Sequence, residues 1–351
     1  MTRIQRLTAA AAVAASALAG ACKDSTSPSA ADPSAMATTV TSLNANFSQN
    51  AVFQSLMALS TTGVLAAPVA LPPLVRGVRG TSPAVQRNLL LGLAERAPTA
   101  ILALFPANTL GKTFQWDTAS GGHYRITDSS VTGAPSQGIR FTLYQVDTAT
   151  QRPRLPLTTT GYVDLTDVSN AQSNGIHLLL RVGQQTAADY TVTEVKTTSS
   201  LTLAATGNLQ DVVTSGPQVT FNLSHALTLS DSSLRTNYQA SASGATVTMQ
   251  TSLVGSAGNE SESVDWLIQK NGSVEVAGVN TPDSTNFQFK LNGSPFATVR
   301  QVGGGQETLT GPGGRSLTAG ELLSLVTILE QFAEVYGNLS LVFVPALLFF
   351  V

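Results

Sequence analysis

Cysteine is almost absent from this sequence, and its scarcity excludes two common ways of holding a fold together. Cys22 is the single cysteine in 351 residues, so the chain cannot form a disulfide within itself. Its three histidines and this cysteine show none of the spacings that are typical of metal sites. The sequence therefore predicts neither a disulfide framework nor a bound metal.

Charged residues are scarce as well, and this limits the possible partners. Only 11% of residues are charged, with 19 basic and 21 acidic side chains and a formal net charge of −2. Such a chain has no basic field to attract nucleic acid, which we exclude as a partner. Hydrophobic residues make up 42%, enough for a sizeable core, and abundant Thr suits the outward positions of a pleated sheet.

Familiar catalytic and nucleotide-binding motifs are missing too. There is no Gly-x-Ser-x-Gly, Gly-x-Gly-x-x-Gly or Walker loop. His123, His177 and His225 fall in three different predicted strands. His225 occupies the apolar side of its strand, where a hydrogen-bonded core histidine is a more common outcome than a ligand or base. We predict no catalytic, cofactor-binding or metal-binding residues, and no cofactor.

Two carboxylate pairs were considered as acid-base sites and rejected on spacing. Asp164 and Asp167 fall on opposite sides of one predicted strand, so they cannot share a site without a bulge. Glu330 and Glu334 lie one turn apart on a predicted helix, where two like charges repel and prefer water. Both glutamates therefore indicate the solvated side of that helix.

The first 21 residues have the layout of a secretory signal peptide. Arg3 and Arg6 precede an apolar stretch over 7–18 that ends in small residues. This stretch is shorter than the roughly 20 apolar residues that a membrane-spanning helix needs. Ala17-Leu18-Ala19 and Ala19-Gly20-Ala21 both offer the small-x-small pattern that ordinary signal peptidase accepts. We therefore expect export and removal of residues 1–21.

The same region resembles the lipobox of bacterial lipoproteins, in which leucine and small residues precede a lipidated cysteine. That family usually has leucine three places before the cysteine, whereas this chain has Ala19 there and Leu18 one place earlier. The resemblance implies that Cys22 is acylated, with palmitate or a similar chain, and becomes the new N-terminus. It also implies outer-membrane retention, because Lys23 rather than Asp follows. Cleavage by ordinary signal peptidase nearby remains the alternative.

Between Cys22 and the predicted helices lies a Ser, Ala, Pro and Asp-rich stretch. We expect residues 22–34 to form a lipidated, flexible tether. Residues 35–110 predict a helical segment that is broken near Asn50 and contains a proline-rich loop. The second helix should begin with Ser82 as N-cap and Pro83 at its first position. Its apolar face is predicted at Val85, Leu89, Leu93 and Ala97.

From residue 111 to residue 310 the pattern changes to strict alternation of apolar and polar residues, with turn signals between the runs. The clearest run is "QVTFNLSHALTLS". Short loops without helical patterns predict antiparallel pairing in a meander. Asn271-Gly272 and Asn292-Gly293 both suit two-residue hairpin turns. A two-residue turn at the second position predicts that Phe289 lies opposite Phe296.

The chain ends in a predicted helix followed by an apolar segment. Thr318 and Glu321 form a capping-box pattern, and Gly337 is placed to end the helix. The last residues, "LSLVFVPALLFFV", are too few to span a membrane. We predict that 317–351 holds a C-terminal helix and a buried terminal strand, with a lipid-facing or partner-facing tail as the alternative.

These elements together predict an α+β fold over residues 35–351, in one domain. Its centre is a large curved antiparallel β-sheet, a half-barrel-like meander, with helices from both chain ends packed on one face. This plan is similar to that of bacterial lipoprotein-localisation and lipid-binding lipoproteins. No motif of those families is present, so the similarity transfers no residue and does not establish function.

Two functions follow as hypotheses. The first is a non-enzymatic lipoprotein, exported to the periplasm and cell envelope, anchored to the outer membrane, that binds an apolar small molecule or an envelope protein. It predicts an open cavity between helices and sheet if the partner is a small molecule. The alternative is an envelope-associated hydrolase with a site assembled from distant strands, which requires the histidines or carboxylates to meet.

Overall fold

A computed structural model describes residues 41, 44, 45, 47, 50–59, 83–96, 103–119, 122–126, 133–147, 150, 152–256, 258–303 and 305–350. The predicted signal peptide, Cys22, its tether and the proline-rich loop lie outside these residues.

The described residues form four α-helices and seventeen strands. The helices are α1 Ala51–Leu59, α2 Pro83–Arg96, α3 Ala319–Leu341 and α4 Val344–Leu347. The strands are β1 Thr113–Asp117, β2 His123–Arg125, β3 Gly138–Tyr144, β4 Val146–Asp147, β5 Arg152–Pro153, β6 Thr159–Asp167, β7 Asn174–Val182, β8 Gln185–Lys196, β9 Ser200–Leu209, β10 Val219–Thr228, β11 Ser233–Ala242, β12 Ala245–Val254, β13 Ser261–Gln269, β14 Ser273–Asn280, β15 Ser284–Leu291, β16 Ser294–Val302 and β17 Thr308–Thr310. Short 3-10 turns lie at Ala107–Thr109 and Pro312–Gly314.

Fifteen of these strands form one open sheet, which confirms the predicted large antiparallel sheet. From β17 back to β7, each strand pairs with the strand that precedes it in the chain. Beyond β6 the order in the sheet is β3, β1 and β2. The pairing of β1 with β3 is parallel, a departure from the predicted meander. It arises because β1 first forms an antiparallel pair with β2, so that β3 must pair with the other side of β1. β4 and β5 form a separate pair.

Side-chain alternation gives the sheet two different faces. On β10, Val219, Phe221, Leu223, His225 and Leu227 are buried, while the residues that alternate with them are exposed or half-exposed. Because successive side chains point to opposite sides of a strand, this alternation fixes which side faces the core. We call the side with the buried residues the inner face and the other side the outer face. The inner-face residues join one hydrophobic core with the helices.

The two Asn-Gly turns differ from each other in the structure. Leu291 pairs with Ser294 across a two-residue turn, and Asn292 and its glycine both have positive φ angles of 51° and 74°, as predicted. The first turn has three residues, since Gln269 pairs with Ser273. The predicted pair of Phe289 with Phe296 is wrong. A β-bulge after Phe289 shifts the register, so that Phe289 lies opposite Ala297.

α3 begins as predicted, but it does not end as predicted. Thr318 accepts a hydrogen bond from the backbone of Glu321, and the Glu321 carboxylate accepts one from the backbone of Thr318. Hydrogen bonds from Arg315, and then from Thr318, lower the pKa of Glu321 to about 2. Gly337 does not end the helix, which continues to Leu341 because its last turns are buried in the core.

The predicted buried terminal strand is also wrong. Residues after α3 form the short helix α4, with Pro345 in its first turn, where the missing N–H of proline would be unbonded anyway. The apolar residues around it are buried, as the sequence suggested, but in helical conformation. None of the described helices combines the length and the apolar composition needed to cross a membrane.

α2 buries only part of the predicted face: Leu93 is buried and Leu89 packs against the core, while the predicted N-cap Ser82 and Ala97 lie outside the described residues. Val85 is 42% exposed, whereas Gln86 and Arg87 are buried. The polar side chains lie inside because each has a partner there: Gln86 bonds Ser340, and Arg87 donates to Gly255 O at 2.7 Å and pairs with Glu260. Buried polar groups are tolerated when they are hydrogen-bonded. α2 packs against β10, β11 and β12.

α1 lies over another part of the sheet, near β3 and β6, and begins at the predicted break. The side chain of Asn50 accepts hydrogen bonds from the backbone N–H groups of Val52 and Phe53, both at 3.1 Å, and so caps the helix. α1 then packs against β3 and β6, and Ser55 bonds Thr160 at 3.3 Å.

The capping box of α3 gives a first testable prediction. Thr318→Ala removes the side-chain acceptor for the Glu321 N–H and should lower the free energy of unfolding by about 1 kcal/mol, measured by urea denaturation. Thr327→Ala is the matched control: its hydroxyl only bonds Leu323 O one turn earlier in the helix. It should leave stability unchanged or slightly higher. Equal losses in the two variants would contradict the capping role.

Candidate functional site

A row of polar side chains crosses the otherwise apolar inner face. These polar residues lie opposite one another on neighbouring strands from β7 to β12, except that Leu203 occupies the position on β9. All of them are buried: Asn174, Glu194, His225, Thr236 and Thr251. Neighbouring strands lie about 4.8 Å apart, so these groups form a polar band with one apolar gap at Leu203. This band is the best candidate for a site in the part of the chain that the structure describes.

His225 lies at the centre of the band and is bonded on both ring nitrogens. Its Nδ1 is 3.0 Å from the Thr236 hydroxyl, and its Nε2 is 2.8 Å from the Tyr238 hydroxyl. The ring of Phe343, beyond the end of α3, lies 4.9 Å from the imidazole centroid. His225 is therefore the hydrogen-bonded core histidine that the sequence predicted.

Two helices complete the hydrogen bonds of this cluster. Gln86 on α2 donates from Nε2 to Ser340 Oγ at 2.7 Å and accepts at Oε1 from the Tyr336 hydroxyl at 2.6 Å. Ser340 and Tyr336 both belong to α3. Ser340 Oγ also lies 2.8 Å from the Tyr238 hydroxyl on the sheet. We call His225, Thr236, Tyr238, Gln86, Tyr336 and Ser340 the polar circuit.

The proton positions in the polar circuit follow from its acceptors. Ser340 Oγ is 2.8 Å from the Tyr336 carbonyl, which can only accept, so Ser340 must donate there. Tyr238 must then donate to Ser340, and His225 must donate from Nε2 to Tyr238. Nδ1 of the neutral imidazole is left to accept from Thr236. Every donor has one acceptor when His225 is uncharged.

Burial determines the ionisation of the polar circuit. It lowers the pKa of His225 to about 3 and raises the pKa values of Tyr238 and Tyr336 well above their ordinary value. Removing a charged form from water is the dominant cause in each case. At neutral pH the whole circuit is therefore uncharged, and none of its groups is prepared to gain or lose a proton in catalysis.

Aromatic contacts extend the interface between α3 and the sheet. Trp266 on β13 donates from Nε1 to the Thr251 hydroxyl at 3.0 Å. Its ring stacks on Tyr336 with centroids 5.6 Å apart and lies 5.8 Å from the ring of Phe332. Such ring pairs stabilise by about 0.5 to 1.5 kcal/mol beyond area burial. They fix the position of α3 against β11–β13.

Glu194 and Asn174, at the other end of the polar band, are only partly satisfied. Asn174 Nδ2 donates to Glu194 Oε2 at 3.0 Å. Glu194 Oε1 and Asn174 Oδ1 are buried without a hydrogen-bond partner. Burial raises the pKa of Glu194, while the bond from Asn174 opposes that shift.

The ion pairs near the middle of the sheet lie on the outer face. Arg140 binds Asp164 through two hydrogen bonds of 2.6 and 2.8 Å and stacks 3.8 Å over the ring of Tyr162. His177 Nε2 lies 2.8 Å from Asp189 Oδ1 on the neighbouring strand, and both side chains are partly exposed. Each pair joins neighbouring strands on the outer face, and no nucleophile is bonded to either pair. They serve as cross-strand contacts.

The structure does not bring the sequence-selected residues together. His123, His177 and His225 lie on β2, β7 and β10. Asp167 accepts from the backbone of Leu104 and Ser169 rather than facing Asp164. Glu330 and Glu334 are exposed on α3, as predicted. Cys22, the predicted lipidation site, lies outside the described residues.

Sequence reasoning missed most of the polar circuit. Thr236, Tyr238 and Thr251 occupy inward positions of alternating strands, and polar residues there were a signal that could have been used. Gln86 and Ser340 gave no such signal, because each stands among residues that look equally suited to either side of a helix. Their inward orientation depends on each other.

The contacts of the polar circuit are those of a structural link between helices and sheet. Within the described residues, no group of three or more His, Cys, Asp or Glu side chains is placed to hold a metal ion. The gap that Leu56, Phe141 and Phe349 help to line, between α1, the sheet and the C-terminal segment, is too narrow for a water molecule. What the polar circuit does is to hold two helices on the sheet.

Two tyrosines on the inner face allow a matched test of the circuit. Tyr238→Phe leaves His225 Nε2 without a partner and removes one of the hydrogen bonds of Ser340, so it should lower the free energy of unfolding by about 1 to 3 kcal/mol. The hydroxyl of Tyr190 is buried without a hydrogen-bond partner. Tyr190→Phe should therefore leave stability unchanged or raise it by up to about 1 kcal/mol. Urea denaturation of both variants checks the sign, and equal effects would contradict the circuit.

Comparison with known proteins supplies no family for this chain. No family model, no curated protein and no solved structure matches it. The functional argument therefore depends on the residues and contacts described above.

Proposed function

We propose that this chain is an exported, non-enzymatic lipoprotein of the bacterial cell envelope. Cys22 anchors it to the outer membrane through acyl chains, and its folded part binds another envelope protein. The support for the anchor is the sequence around residues 1–34: a signal-peptide pattern, a lipobox-like cysteine, and a linker of tether composition. Lipidation also accounts for the single cysteine, which would otherwise be a reactive thiol in an oxidising compartment.

We further propose that helices from both chain ends cover one face of a curved sheet. Three contacts support this arrangement. Ser55 on α1 bonds Thr160 on β6, Gln86 on α2 bonds Ser340 on α3, and Tyr336 on α3 stacks on Trp266 of β13. All three elements thereby approach the inner face, from β6 to β13.

The observation that carries the choice of partner is the dense packing between helices and sheet. A protein that holds an apolar small molecule needs an open cavity of some hundreds of Å³. Here the space over β10–β13 is occupied by the polar circuit, Trp266 and Phe332, and the gap next to α1 is too narrow for water. This packing favours a protein partner, bound at the surface, over a small apolar ligand.

The hydrolase alternative receives no support from the described residues. It requires a histidine or several carboxylates to converge on an accessible point. His225 is buried, while His177 and Asp189 form a pair on the outer face that lacks a bonded nucleophile. We therefore do not retain it.

The lipid anchor is tested by replacing Cys22, the residue that would carry the acyl chains. Cys22→Ser removes the thiol that is acylated, so the protein should move from the membrane fraction to the soluble fraction when cells are fractionated. Ser25→Ala, in the same tether, is the control and should stay in the membrane fraction. Mass spectrometry of the wild-type N-terminus should show an acylated Cys22. An unmodified thiol there, or membrane retention of Cys22→Ser, would contradict the proposal.

The nature of the partner is tested by what accompanies the protein. Organic extraction of the purified full-length protein should release no bound lipid other than the covalent acyl chains. Chemical cross-linking in intact cells should give a discrete adduct with one envelope protein. A stoichiometric extracted lipid together with the absence of any adduct would contradict a protein partner and reinstate the small apolar ligand.

A further inference from the structure

The polar circuit connects the imidazole of His225, through the Tyr238 hydroxyl, to two helices. His225 bonds Tyr238, Tyr238 bonds Ser340 on α3, and Ser340 bonds Gln86 on α2. The first bond joins two strands, the second joins a strand to α3, and the third joins α3 to α2. The state of the imidazole is thereby coupled to the docking of both helices.

The docked arrangement has no place for a second proton on His225. Nδ1 accepts from the Thr236 hydroxyl. A proton on Nδ1 would place an N–H donor opposite the O–H donor of Thr236, and that hydroxyl would have to rotate. The positive charge would also lie among two hydroxyls and the ring of Phe343, with no carboxylate among its hydrogen-bond partners. A buried charge without a partner is strongly unfavourable.

The titratable groups on the surrounding elements do not provide that partner. On α2, Arg87 is already paired with Glu260. On α3, Tyr336 faces the circuit, whereas Glu330 and Glu334 are exposed. On the sheet, Glu194 of β8 lies two strands from His225 in the polar band. Glu262 of β13 interacts electrostatically with Tyr336. Burial raises the pKa of both carboxyls. The C-terminal segment contributes Phe343, which is uncharged.

We propose that α2 and α3 leave the sheet with the uptake of one proton by His225, so that acid favours exposure of the inner face. Undocking places the imidazole in water, where nothing opposes its charge. The inner face that is uncovered carries the apolar residues of β10–β13 as well as His225, Thr236 and Tyr238. This inference stands independently of the lipid anchor and of the partner proposed above.

The direction and pH window follow from the two pKa values of one group. The docked state holds His225 with a pKa of about 3, and the undocked imidazole returns to its ordinary 6.5. Docking is therefore fully stabilised by this group above pH 6.5, and that stabilisation falls as the pH decreases from 6.5 towards 3. Burial raises the pKa values of Glu194 and Glu262. Protonation of these two carboxyls therefore favours the docked state as the pH falls, which opposes the effect of His225. Only a comparison with a His225 variant isolates the imidazole.

Amide hydrogen exchange of the full chain, followed by mass spectrometry, tests the proposal. Peptides from α2 and α3 are compared with peptides from β10–β12 over roughly pH 5 to 8, after correction for intrinsic exchange. In the wild type the opening constant of the helices should rise by up to about tenfold per pH unit below 6.5. His225→Gln, an uncharged side chain that can still donate and accept, should not show this rise. His177→Asn, which changes an outer-face histidine, should show it unchanged.

Each remaining outcome has a defined meaning. Parallel pH dependence in the wild type and His225→Gln overturns the proposal, as does loss of the dependence in His177→Asn. If His225→Gln does not fold, the wild type alone decides, through exchange of the imidazole C2 protons. That exchange should be slower at His225 than at His177 at pH 7, and the ratio of the His225 rate to that of a free imidazole at the same pH should rise together with helix opening as the pH falls. Equal C2 exchange at the two histidines, or helix opening that does not change with pH, would overturn the proposal.

Discussion

The structure depends on the requirement that polar groups buried between helices and sheet find partners there. Apolar packing alone would allow α2 and α3 to slide or rotate over the inner face, since dispersion contacts have little directionality. Gln86, Ser340 and Tyr238 bond only in one arrangement. The polar circuit therefore specifies the position of the helices, while the surrounding core supplies most of the stabilisation.

Local sequence signals predicted the sheet well because they act within single strands. Alternation identified β10 and its neighbours, and short loops predicted their antiparallel order. The parallel pair of β1 with β3 was not predictable in this way, since it depends on which side of β1 remains free. The bulge after Phe289 likewise changes register without any change in alternation that the sequence shows.

The helices were predicted less well because tertiary contacts decide their faces and ends. Capping residues act locally, so Thr318 was identified correctly, and the predicted break near Asn50 falls where that residue caps α1. Gly337 and the apolar residues after it followed burial instead of propensity, and helix replaced the expected strand. Gln86 faces inward only because Ser340 and Tyr336 meet it. A site made of such mutual contacts leaves little trace in any one segment.

The two outermost strands of the sheet are very short: β2 and β17 have three residues each. A long sheet normally offers unpaired backbone amides and carbonyls at its rims, on which strands of other molecules can assemble. Here each rim presents only a few such groups. Such short outermost strands give the backbone of another molecule little length to pair with, and so oppose edge-to-edge assembly into fibres.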